Sequence, residues 1–197
     1  MYKKIYPPLS LLWQSTFTFY LLCIISGCTS FSDKYPDGFT APLDTVKVET
    51  VDFFPQDENR CGPASLAGVL NFYGVTVTPD EIAADIWRKP IHGTLSLDMV
   101  LYARKKGLNA RWFSGNIDDI QKAISGGIPL ITLMDIGFSG IHKYHYIVIV
   151  GFCPKGIIAN SGKYTEKIIS WDNFFYGWNR AYRWTLLISP INGSMPK

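Results

Sequence analysis

Residues 56–70, Gln-Asp-Glu-Asn-Arg-Cys-Gly-Pro-Ala-Ser-Leu-Ala-Gly-Val-Leu, constrain this chain more than any other stretch. A polar loop runs into a cysteine, and an apolar pattern at helical spacing starts there: Ala64, Leu66, Ala67, Leu70. Pro63 suits a first helical turn, where its missing N–H costs nothing. Gly74 can end the helix in a left-handed cap. Cys61 therefore stands at a helix N-terminus, where orphan N–H groups and the dipole favour negative charge. A thiol so placed is expected to have a lowered pKa, and its thiolate is a nucleophile.

A nucleophilic cysteine needs a base, a group to orient that base, and donors for an oxyanion. His145, at the start of the apolar run Tyr144–Phe152, is the leading base. Gln56 offers a side-chain amide as one oxyanion donor, and the Cys61 N–H is the other. Asn160 is the expected orienting residue, at the end of the strand that returns beside His145. Asp172 is its rival, because it carries a charge. The order Gln, Cys, His, Asn or Asp is that of papain-like peptidases.

The resemblance narrows further. Gln56…Cys61-Gly62-Pro63-Ala64-Ser65-Leu66-Ala67, then Phe72-Tyr73-Gly74, Gly93–Leu97, Ala103–Leu108 and His145-Tyr146-Ile147-Val148, together resemble the bacteriocin-processing, double-glycine-leader cysteine peptidases. The chain looks like their free-standing branch, without a transporter, and the likeness covers roughly residues 50–189. It implies a papain-like α+β fold, with N-terminal helices packed on an antiparallel sheet. It also implies hydrolysis of a peptide or protein substrate through a thioacyl-enzyme on Cys61, with glycine-type residues at the cleaved bond. No metal and no organic cofactor is implied. In that family the strand after the histidine strand ends in Asp-Pro; here it ends in Asn160-Ser161, a departure. Two other classes stay open: a peptidoglycan stem-peptide hydrolase, and a catalytically inactive binding lipoprotein of the envelope.

The N-terminus reads separately from this domain. Lys3 and Lys4 precede a mostly apolar stretch, Leu9–Ile25, which ends in Ile25-Ser26-Gly27-Cys28. A short apolar region followed by small residues is a secretion signal, and its end resembles the bacterial lipoprotein signal. Residues 1–27 are then the signal peptide, and Cys28 is lipidated. That places the chain in the cell envelope, on the outer membrane if the source is Gram-negative. Residues 28–48, rich in Ser, Asp, Pro and Gly, read as a linker. The peptidase-like domain spans 49–190, and 191–197 is a tail.

With 47% hydrophobic residues and 197 in all, the chain can build one domain with a sizeable core. Its net charge of +3, without a basic run, argues against a nucleic-acid partner. No Gly-Lys-Ser/Thr phosphate loop is present, so no ATP-binding segment is read. A Cys61–Cys153 disulfide conflicts with a Cys61–His145 site. Cys153 lies eight residues past His145 on one strand, about 26 Å away, whereas a disulfide needs Cα atoms within about 7 Å.

Along the chain, Val46–Phe54 partly alternates as a first strand. Thr78-Pro79-Asp80-Glu81 is a capping box that opens a second helix. Ser96 is expected to cap Leu97–Lys106, and Asn116 to cap Ile117–Ser125. Strands follow at 130–134, 144–152, 157–159, 167–169 and 182–188, read as a meander. A short helical turn is expected at Trp171–Trp178.

Overall fold

The computed structural model describes residues 35–56 and 59–191. The expected signal stretch, the expected lipidation site Cys28, the first part of the expected linker and residues 192–197 lie outside the described residues.

The elements run in this order: β1 (Val46–Lys47), α1 (Cys61–Phe72), α2 (Pro79–Ile86), β2 (Trp87–Arg88), a 3-10 turn (Lys89–Ile91) and β3 (Gly93–Thr94). Then come α3 (Ser96–Lys105), β4 (Leu108–Ser114), α4 (Ile117–Ser125), β5 (Leu130–Asp135), β6 (Tyr144–Cys153) and β7 (Gly156–Ser161). The chain closes with β8 (Tyr164–Ser170), α5 (Trp171–Arg180) and β9 (Trp184–Pro190). This is the expected α+β fold, with helices against an antiparallel sheet. Strand order is β4-β9-β5-β6-β7-β8, with β1 also paired to β6.

β6 sits inside the sheet, and its sequence says why. Tyr146, Val148 and Val150 alternate with Ile147 and Ile149, so both faces are apolar. The first set packs with Leu66, Leu70 and Met99 of α1 and α3. The second packs with Ile120, Phe174 and Trp178 of α4 and α5. The sheet thus divides two cores, and each helix pair covers one face.

α1 is buried continuously from Gly62 to Leu70. A helix apolar all round belongs in a core, and this one also lies under the N-terminal segment. A Cβ on Gly68 would come within 2.5 Å of the Asp52 carbonyl oxygen, so only glycine permits that approach. The α2 box forms as read: Thr78 Oγ1 accepts from the Glu81 N–H at 3.2 Å, and the Thr78 N–H donates to Glu81 at 2.7 Å. Asn116 and Asp119 do the same for α4.

Four expectations are corrected. The first strand is two residues long, because after a last bond from the Val48 N–H to the Val150 carbonyl at 2.7 Å the chain leaves the β6 ladder to cross α1. The late strands are not a simple meander. β9 inserts between β4 and β5, pairing Leu187 with both Arg111 and Leu130. Ser96 is the first residue of α3 and does not cap it; its hydroxyl instead pairs with Tyr146 Oη at 2.8 Å. The turn at Trp171 is a ten-residue helix, capped by Ser170. Part of the expected linker also packs down: Phe39 meets Trp171 and Phe175 edge-on, at 5.1 and 5.0 Å.

Candidate active site

Gln56, Cys61 and His145 come together around one cavity of about 660 Å³. Each arrives from a different element. Cys61 is the first residue of α1, whose first turn holds no acidic side chain and whose N-cap, Arg60, makes no side-chain cap. The positive end of the helix is therefore left to the thiol. His145 is the second residue of β6. Gln56 ends the N-terminal crossing segment and is fastened there by its own N–H, which donates to the Gly162 carbonyl at 2.8 Å.

Gln56 is only 6% exposed. Its Nε2 donates to Ser65 Oγ at 3.3 Å, and Ser65 Oγ donates on to the Tyr146 carbonyl at 3.4 Å. A side-chain amide has two N–H groups, so one remains after Ser65 is served. Ser65 was not foreseen, yet it lies one helical turn after Cys61, on the same face. That spacing was the available signal.

The charge state differs from the expectation. Burial pushes the Cys61 thiol up, against the backbone N–H groups of Tyr146, Gly62 and Cys61 itself, which pull it down. Burial also pushes His145 down to about 4, aided by the charges of Lys143 and Lys167. The expected lowered thiol pKa is therefore reversed. Desolvation penalises both charged forms, so burial works against a standing thiolate–imidazolium pair. Burial likewise raises Tyr146 to about 12, so its hydroxyl stays neutral beside them.

The imidazole's partner is neither of the two residues read from the sequence. His145 Nε2 lies 3.1 Å from Ser161 Oγ. Asn160 is 3% exposed, and its Oδ1 accepts from Thr165 Oγ1 at 3.1 Å and the Glu166 N–H at 2.9 Å. The reason is register. Asn160 pairs with Val148, and paired residues share a face, so period two puts Asn160 on the face opposite to His145. Ser161, one residue on, falls on the His145 face. Asp172, in the first turn of α5, accepts from the Tyr35 hydroxyl and is not among the residues that line the cavity.

His142, three residues before His145, is engaged elsewhere. Its Nδ1 is 2.6 Å from Asp135 Oδ2, and Arg180 Nε donates to the same oxygen at 3.0 Å. Cys153 is a free, buried thiol at the far end of β6. Among the described residues no group of three His, Cys, Asp or Glu is placed to hold a metal ion.

A family model described as "Peptidase_C39 like family" matches residues 48–184. No curated protein matches the chain. Among solved structures, a C39-like peptidase from Bacillus anthracis superposes with a TM-score of 0.61 at 15% identity, covering 74% of this chain and 97% of that one. The peptidase domain of Streptococcus ComA, described as a bifunctional ABC transporter of a quorum-sensing pathway, gives 0.59 at 23% identity, over 72% and 99%. A double-glycine-motif protease from an AMS/PCAT transporter, solved with its leader peptide, gives 0.58 at 23% identity, over 76% and 99%.

Proposed function

The chain belongs to the peptidase C39-like family, and from that membership we propose that it hydrolyses peptide bonds with Cys61 as nucleophile. The observation that carries the reading is the meeting of Cys61, His145 and Gln56 at one cavity, with the cysteine on an uncapped helix start.

In this mechanism the Cys61 sulfur attacks the substrate carbonyl while His145 takes the thiol proton. Burial disfavours both charged forms, and in this reading the proton moves during the attack. The tetrahedral oxyanion is met by the Cys61 N–H and by the Gln56 N–H that Ser65 leaves over. His145 then protonates the leaving amine, a thioacyl-enzyme remains, and water hydrolyses it with His145 again as base. We also propose glycine-type residues at the cleaved bond, by analogy with the double-glycine-motif protease, and an envelope location through lipid on Cys28. Among the described residues no helix is long and apolar enough to cross a membrane.

The test is hydrolysis of a fluorogenic Gly-Gly peptide amide by the full chain. Cys61→Ser should cut turnover by about 10⁴-fold or more while the fold, read by circular dichroism, is unchanged. Iodoacetamide should alkylate Cys61 with an apparent pKa above the ordinary thiol value of about 8.5. Wild type that turns over no faster than Cys61→Ser would favour the inactive-lipoprotein reading. Lipidation is tested by radiolabelled palmitate, which should enter wild type and not Cys28→Ala.

A further inference from the structure

We propose that Ser161 is the positioning residue for His145, so that this chain uses a Cys-His-Ser arrangement in which, among the described residues, a hydroxyl and not a carboxylate stands behind the imidazole. The inference rests on the peptidase reading above and assigns the orienting role within that site.

Three observations carry it. The first is the 3.1 Å contact between His145 Nε2 and Ser161 Oγ. The second is how firmly Ser161 is held. It ends β7 at a tight hairpin, paired across to Tyr164, with Gly162 in the left-handed region at φ +61°. Asn160 clamps that hairpin from the other face through Thr165 and Glu166. The Gly162 carbonyl ties the same tip to the Gln56 backbone. One hairpin tip therefore fixes both the imidazole and the oxyanion donor.

The third observation is the charge around the ring. Cys61, Lys143, Tyr146 and Lys163 line the same cavity; Ser161 touches the ring, and the charges of Lys143 and Lys167 oppose a charge on it. The nearest carboxylate of the adjoining strand, Asp135, is held by His142 and Arg180. Among the described residues no carboxylate lines this cavity, so the role assigned to the orienting group is to fix which nitrogen carries the proton. In the proposed arrangement Nε2–H donates to Ser161 Oγ. Nδ1 keeps its lone pair and receives the Cys61 proton.

The experiment is nitrogen NMR of the histidines in the full chain. The sequence holds three, so His92→Gln with His142→Gln leaves His145 as the sole imidazole. Wild type should show the Nε2–H tautomer. Ser161→Ala should scramble it and lower kcat roughly tenfold at unchanged KM, the cost of one neutral hydrogen bond. Ser161→Thr should restore both. Ser161→Asp should raise the His145 titration midpoint by about 1–3 pH units. A wild-type Nδ1–H tautomer, or a tautomer and kcat unmoved by Ser161→Ala, overturns the proposal. The NMR readout needs no peptide hydrolysis, so a failure of the peptidase reading leaves it measurable and separate.

Discussion

Two histidines three residues apart have opposite surroundings. His142 is 59% exposed at its side chain and pairs with a carboxylate that is 0% exposed. His145 is mostly buried, beside a hydroxyl and near lysines. The carboxylate partner, the feature that marks a catalytic imidazole in many enzymes, thus belongs to the histidine that does not line the Cys61 cavity. Asp135 is costly to bury. Even so, hydrogen bonds from His142, the Gly137 and Lys143 N–H groups and Arg180 outweigh burial, and they hold its carboxyl well below the usual range. It ties the loop between β5 and β6 to α5. The comparison teaches that charge complementarity builds scaffold here, while the candidate imidazole is buried beside a hydroxyl and near lysines.

That contrast can be attacked from several sides. The largest effect is expected from Asp135→Ala. It removes a buried carboxylate and leaves two backbone N–H groups and a guanidinium without it, so unfolding in urea should show a loss of about 3–5 kcal/mol. A loss under 1 kcal/mol would mean that the clasp is not structural.

Next comes pH. His145 has its folded pKa depressed from 6.5 to about 4. The unfolded chain therefore binds more protons between those values, and stability must fall as pH drops from 6.5 through 4. The full shift corresponds to at most about 3 kcal/mol. His145→Phe should flatten the urea-midpoint curve over that window. Asp135 acts lower: its contribution is present above the unfolded carboxylate pKa and is lost on further acidification.

Asn160→Ala is the third. It strips an acceptor from the Glu166 N–H and from Thr165, so it should cost about 1–2 kcal/mol of stability. Its kcat should fall less than that of Ser161→Ala. The reverse order would return the orienting role to Asn160. The smallest effect is expected from His142→Gln, an exposed partner whose loss should change stability by less than about 1 kcal/mol and leave the His145 tautomer as it was.

Much of this architecture was legible because local chemistry and tertiary structure agree. The Thr78 and Asn116 boxes, the buried run of β6 and the Cys61 helix start each declare themselves within a dozen residues. That Cys61, His145 and Gln56 would line one cavity was readable because the motif and its order carry them. What was not legible depends on pairing. The insertion of β9 beside β5 is a choice among edges that no local pattern encodes. Ser161 in place of Asn160 follows from a one-residue register, and a shift of one residue inverts every face. The raised thiol pKa follows from depth of burial, which the helix-start argument does not contain.

One bond has a consequence for how the molecule is made. Ser65 of α1 reaches the Tyr146 carbonyl of β6 across 81 positions. A chain that emerges N-terminus first at about 5–20 residues per second holds α1 for roughly 4–16 seconds before its sheet partner exists. Over that interval the Cys61 thiol lacks the cover that raises its pKa. The nascent polypeptide thus leaves this sulfur more open to solvent than the finished protein does.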